Sequence, residues 1–358
     1  MSIGEIYNLQ ERISIACRIG EVKQPVAEAV TEEFFRRHPD WLARYGERGR
    51  RLGIEDAKYH LDFLAGAIES GSVASFEDYA RWSSRMLAAR GIAPQFVAEN
   101  FRQLGESLNR ILSEDSAEMI SSYIQAGSAA CTEKAEDIEE VKSGELAQSQ
   151  RLFLESILKG QRETAATIAL EVIRCGHQII DVYTEIFQES QFQVGHLWES
   201  NKISVAEEHM ATAITQFVMA RVYPLIEPAE RVRGRMVITG VEGEMHQIGA
   251  NMVADVLEAR GWDVRFLGTN MPHQGILKAV EDHRADVVGI SATMLFNIPK
   301  VVQIIKQIRE NFDADNLWIF VGGASFRQVP QLYSEIGADG YALNLGAAIA
   351  LLETRFPV

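Results

Sequence analysis

Cysteine is the first scarcity. Cys17, Cys131 and Cys175 are the only three in 358 residues, and they lie far apart. An odd, dispersed set gives neither a disulfide framework nor the paired spacing of a zinc site, so the sequence points to a reducing cytoplasm. Positive charge is also short: 35 Lys and Arg stand against 50 Asp and Glu, a net charge of −15. Phosphate backbones are gripped by basic surfaces, so direct DNA binding is not expected. No apolar run reaches the length of a bilayer span, which leaves no membrane partner to expect. The opening residues, Met1-Ser2-Ile3-Gly4-Glu5, lack the basic start and apolar core of a signal peptide. What remains is ordinary for a soluble globular protein: 47% hydrophobic and 24% charged residues, in a chain long enough for two or three domains.

The fold class expected is multidomain. Residues 1–125 read as an all-α domain of roughly five helices, with a globin-like arrangement among the expectations. Apolar residues at helical spacing run from Val26 to Phe35, Ile54 to Ser70, Phe76 to Arg90 and Gln95 to Leu112. Pro39 ends the first of these, Asp40 is a candidate cap for a segment starting at Trp41, and Gly71 closes the segment after it. Residues 126–145 are polar and charge-rich and read as a linker or an exposed helical stretch. Residues 146–230 carry four helical patterns with short connections, the mark of a four-helix bundle. Ser204 and Glu207 fit a capping box at the start of the last one. Residues 231–358 alternate strand and helix, with apolar runs such as Val287-Val288-Gly289-Ile290 and Trp318-Ile319-Phe320-Val321, and read as a Rossmann-like parallel sheet. No Gly-x-Gly-x-x-Gly follows the first strand, which weakens a dinucleotide reading.

A histidine occupies that loop instead. The stretch Glu242-Gly243-Glu244-Met245-His246-Gln247-Ile248-Gly249 joins the apolar run ending at Gly240 to a helical pattern. In an open α/β sheet ligands bind at this edge. An imidazole beside a carboxylate can ligate a metal through one nitrogen while the other bonds the carboxylate. Ser291-Ala292-Thr293 and Gly322-Gly323 end two further strands at the same edge. Each has a plain use in turn chemistry; together they describe a site.

The amino-terminal domain concentrates aromatics between Phe34 and Trp82, interleaved with His38, Arg44, Tyr45, Arg48, Asp56, Tyr59, His60 and Arg81. One reading is a helical core with a solvated charged face. The other is a pocket for a flat, conjugated, acidic ligand, a bilin or a haem, stacked on rings and paired by arginines.

Glu244-x-His246-x-x-Gly249, with Ser291-x-Thr293 and Gly322-Gly323, resembles the cobalamin-binding motif of methionine synthase, of certain mutases and of cobalamin photoreceptors. That motif usually opens on Asp; Glu244 keeps the carboxylate. The resemblance implies base-off, His-on binding, with His246 as the lower cobalt ligand, Ser291 and Thr293 along the nucleotide tail, and glycines that let the backbone approach it. Trp198, nine intervening residues, then Glu208-His209 is similar to the motif over the upper face of cobalamin in light-sensing repressors, which implies adenosylcobalamin. Those repressors place a His directly after the Trp, where this chain has Glu199; His196 and His209 are near in sequence.

The amino-terminal segment, including Phe34 to Trp41, Tyr45 to Arg50 and Tyr59 to Leu64, resembles the helical domain of photocobilins, which implies biliverdin, held non-covalently because no cysteine lies among those aromatics. The resemblance covers the whole chain in architecture and rests on specific motifs in the carboxy-terminal two-thirds. Its functional implication is a light sensor and not an enzyme: light cleaves the cobalt–carbon bond and shifts a homo-oligomer, dimer or tetramer, or a separate signalling partner. The alternative is a corrinoid methyl carrier of a methyltransferase system, and a third reading is a regulator that senses cobalamin without light. A mutase is disfavoured because no substrate-binding barrel is present.

Overall fold

The computed structural model describes residues 7–133, 145–226, 229–230 and 233–357; residues 134–144 of the expected linker lie outside the described residues. The chain forms two compact units.

The first unit holds five helices together with residues 292–307 and 324–338. They are α1 (Leu9–Arg37), α2 (Pro39–Ser70), α3 (Val73–Ala88), α4 (Pro94–Ile111) and α5 (Glu114–Ala130). α1 begins well before the apolar pattern at Val26, because Asn8 and Glu11 close a capping box there and Pro25 is accommodated inside the helix. α2 begins at Pro39 and not at Trp41, since the first helical position tolerates the missing N–H of proline. Gly46, at φ 57° and ψ −157°, breaks α2, and Gly71 ends it in the left-handed region. α5 runs on to Ala130. Leu61, Leu64 and Ile68 of α2 are fully buried, as are Phe76, Phe101 and Tyr123. Side chains of this size contribute about 1.5–3 kcal/mol each on burial.

The second unit begins with the bundle: α6 (Ala147–Leu158), α7 (Arg162–Arg174), α8 (Glu189–Glu199) and α9 (Val205–Val222). A seven-residue π segment, Val182–Gln188, leads directly into α8. The Ser204–Glu207 capping box starts α9 as expected. Five parallel strands follow, β1 (Gly234–Gly240), β2 (Trp262–Phe266), β3 (Val287–Ser291), β4 (Trp318–Gly322) and β5 (Gly340–Ala342), in the order β2-β1-β3-β4-β5. The helices that follow these strands along the chain are α10 (Ile248–Ala259), α11 (His273–His283), α12 (Ile298–Asn311), the one-turn α13 (Leu332–Glu335) and α14 (Leu345–Arg355); of these, α13 and residues 298–307 of α12 belong to the first unit. The bundle core, with Phe153, Tyr183, Phe187 and Val218, continues onto α10 through Met252 and Val256 and onto α14 through Leu345 and Ile349. The strand order reverses between β1 and β3, which places the ligand crevice of such a sheet beyond their carboxyl ends.

Candidate cobalamin site

The loop after β1 carries the central pair. Glu244 is completely buried, and its Oε1 lies 3.0 Å from the main-chain N of His246 and 2.6 Å from the ring Nδ1. An ionised carboxylate only accepts, so Nδ1 carries the proton and donates it, and Nε2 keeps its lone pair for a metal. The imidazole itself is 54% exposed, so a buried carboxylate orients a ring that reaches outward. Room for the longer Glu in place of Asp comes from Gly240: a Cβ there would stand 3.3 Å from Glu244 Cγ and 2.7 Å from Thr269 Cγ2.

Gly249 sits in the first turn of α10, where a Cβ would meet no protein atom within 4 Å. Glycine inside a helix costs about 0.5–1 kcal/mol relative to alanine, and nothing in the protein requires it here. It leaves a cradle beside His246 that suits a ligand lying close to the backbone. Met245, 72% exposed, is a large apolar side chain left at the same edge. Ser291 ends β3 opposite Gly240 of β1 and Gly322 of β4 in the strand register, and Thr293 follows in the loop after β3. Gly323, at φ 101°, turns the chain out of β4.

In the bundle, Trp198 lies in the last turn of α8 and Glu208-His209 in the first turns of α9, and the two helices pack together. His209 Nδ1 pairs with the Glu208 carboxylate. Gln191, two turns before Trp198, bonds Thr212 at 3.1 Å and Thr215 at 2.8 Å and so ties α8 to the Glu208 side of α9. Gly195 lies between Gln191 and Trp198 on that helix, and a Cβ there would also meet no atom within 4 Å; Val205 is 57% exposed. The donor set and these open positions fit a flat, largely apolar group with a metal at its centre. Sequence reading passed over Gly195 and Asn270, the latter a turn residue after β2 whose side chain reaches the His246 loop.

The amino-terminal candidates fall into separate clusters. His38 bonds Glu99 at 2.9 Å beside Phe34 and Phe96. Arg44 stacks over Tyr45, and Arg81 pairs with Asp78 and Glu133. His60 is buried with Nδ1 2.7 Å from the Tyr79 hydroxyl, and burial drives its pKa down to about 3. Asp56 is raised to about 6, chiefly by burial and then by Glu55. Tyr79 is stacked 3.7 Å from Phe63, and Trp82 tilts against both rings. Tyr59 and Arg48 are exposed. A groove of about 610 Å³ in this unit is lined instead by Glu28, Glu32, Glu47, Arg50 and Arg51, with apolar neighbours. Among the described residues no group of three or more His, Cys, Asp and Glu is placed to hold a metal by itself, and no helix is long and apolar enough to cross a membrane.

Fold and site together define a B12-binding module. Residues 234–350 match the family model described as a B12 binding domain, and residues 150–223 match a second model with the same description. Dimethylamine corrinoid protein 3 of Methanosarcina acetivorans is 32% identical over 159 residues, covering 44% of this chain and 74% of the relative. Dimethylamine corrinoid protein 1 of the same organism is 30% identical over 160 residues, with the same coverage of 44% and 74%. The chain belongs to this family of B12-binding corrinoid proteins. The solved structure of the Methanosarcina barkeri monomethylamine corrinoid protein shares the fold at a TM-score of 0.52 and 22% identity, over 58% of this chain and 99% of that one.

These relatives correct the light-sensor reading. The chain's kin are corrinoid proteins named for methylamines, not photoreceptors. Trp198 and Glu208-His209 are compatible with a cap over any upper ligand, so they did not discriminate. None of the relatives described above is named for adenosylcobalamin or biliverdin, the two groups that the light-sensor reading carried.

Proposed function

We propose that this chain is a corrinoid methyl carrier: it presents cobalamin to separate methyltransferases and is not itself the catalyst. The observation that carries the reading is the buried Glu244 holding His246 with Nε2 outward at the β1 edge, in a module whose relatives are named as dimethylamine corrinoid proteins. When bound, cobalamin supplies a cobalt centre that takes up a methyl group on its upper face and yields it to an acceptor. His246 would ligate that cobalt from below, and Glu244 would fix its tautomer and raise its basicity. Ser291, Thr293, Gly322 and Gly323 would line the nucleotide tail. Trp198, Glu208 and His209 would cover the upper face and keep water from it. In this reading residues 146–230 act as the cap and 231–358 as the cobalamin domain, with residues 1–125 as an added helical domain.

The test is reconstitution. Purified protein should bind cobalamin with a base-off spectrum, and after reduction it should take up one methyl group per cobalt from iodomethane. It should then release that group to a thiol only when a methyltransferase is added. Release at the same rate without any partner, or base-on binding, would overturn the carrier reading.

A further inference from the structure

The loop that bears His246 is braced from outside itself. It runs from Val241 to Gln247 between β1 and α10, and its own backbone supplies one internal tie, Glu244 N to Val241 O at 3.0 Å. The Glu244 carboxylate adds its bonds to His246, and further ties come from the connection between β2 and α11. Gly240 N donates to Gly268 O at 3.0 Å, Met271 N donates to Gly240 O at 3.3 Å, and Val241 bridges Met271. At the centre stands Asn270. Its backbone is left-handed, φ 58°, a region that asparagine tolerates better than other residues with a side chain. That conformation presents its side chain to the loop, and Gly243 N donates to Asn270 Oδ1 at 2.8 Å. Gly243 itself is left-handed, φ 82°, one residue before Glu244. One amide oxygen therefore holds the turn from which Glu244 enters the core and His246 leaves it.

We propose that Asn270 is a positioning residue for His246: by bonding Gly243 it sets the loop conformation in which the imidazole meets a metal at the β1 edge. This rests on the reading of His246 as the cobalt ligand. Sequence hides the role, because Gly268-Thr269-Asn270-Met271-Pro272 reads as turn chemistry alone. The geometry separates two properties of the residue, its tolerance of positive φ and its acceptor oxygen. Glycine keeps the first and loses the second; aspartate keeps both.

The experiment compares wild type, Asn270→Gly, Asn270→Asp and His246→Ala, each titrated with cobalamin by absorbance for its affinity and each with two further readouts. In the protein without cobalamin, hydrogen exchange is followed on peptides covering residues 241–247. With cobalamin bound and reduced to Co(II), the nitrogen splitting in the EPR spectrum is recorded on 15N-histidine protein, where a histidine ligand gives doublets and a benzimidazole nitrogen gives triplets.

Asn270→Gly should fold cooperatively, speed exchange in the loop and weaken cobalamin binding about fivefold, the equivalent of one hydrogen bond of about 1 kcal/mol. The share of doublet signal should fall with it. Asn270→Asp should restore both readouts toward wild type. Exchange and affinity in Asn270→Gly within twofold of wild type would overturn the proposal. Triplets in the wild type would instead remove His246 as the ligand, and the exchange comparison would then decide whether Asn270 still braces the loop.

Discussion

Replacing Glu244 by Gln removes a charge from the centre of the site while keeping its shape. The carboxylate is wholly buried and bonds two nitrogens of the same residue, the main-chain N of His246 at 3.0 Å and its ring Nδ1 at 2.6 Å. An amide oxygen can still accept from both, so the loop should persist. What is lost is the ionised acceptor: bonds to charged groups contribute about 1.5–3 kcal/mol and neutral ones about 0.5–1.5 kcal/mol. The ring bond therefore loses about 1–1.5 kcal/mol, which predicts a weakening of cobalamin binding of about five- to tenfold. Glu244→Ala loses both bonds and should weaken binding by 100-fold or more, on the order of 3 kcal/mol. The assay is an absorbance titration with cobalamin, paired with thermal melts of the unloaded proteins. Glu244→Gln should melt close to wild type and bind less tightly. Equal affinity in wild type and Glu244→Gln, with an unchanged His-on spectrum, would refute the idea that the buried carboxylate tunes His246.

Gly249→Leu separates binding from folding. The open position should accept the side chain, and the unloaded protein should gain up to about 1 kcal/mol from the better helix former; cobalamin binding should fall at least tenfold, and a variant that binds normally would remove Gly249 from the site. Asp255 sits under the Tyr183 hydroxyl, 2.7 Å away, and its pKa is raised to about 6, first by burial. A carboxyl with a folded pKa above its unfolded value binds more protons when folded, so its contribution to stability is present in acid and is lost as pH rises through about 6. Asp255→Asn should therefore gain most over wild type near pH 7.5, with the gain fading toward pH 4.5. Denaturant midpoints at the two pH values test this, and a pH-independent difference would count against it.

Much of the cobalamin domain was legible because buried parallel strands write themselves as apolar runs. Val287–Ser291 and Trp318–Gly322 fall where the pattern puts them, and His246 falls in the predicted loop. The strand order was not legible, since no local pattern says that β3 pairs with β1 across from β2. The start of α1 was hidden by Pro25, and the break in α2 by a Gly46 that looks like any turn residue. The amino-terminal aromatics misled for a physical reason. Phe63, Tyr79 and His60 bond and stack with one another, and a sequence cannot distinguish rings that await a ligand from rings that satisfy each other. The light-sensor expectation failed against the relatives, which are named as dimethylamine corrinoid proteins; a Trp and a Glu-His pair at that spacing do not by themselves specify a cargo.

The π segment Val182–Gln188 makes the cap sensitive to chain length. Five-residue hydrogen bonding absorbs an extra residue into a helix, and such segments often mark function. Within it, Tyr183 and Phe187 are packed into the bundle core; downstream, Gln191, Gly195 and Trp198 follow one another at helical spacing along α8. Losing one residue from the segment would restore an ordinary helix and rotate everything after it by about 100°, turning Trp198 off its present face without changing a single side chain there. The direction of Trp198 is thus set by a count of residues about three turns before it, and point substitutions cannot reproduce what one deletion there would do.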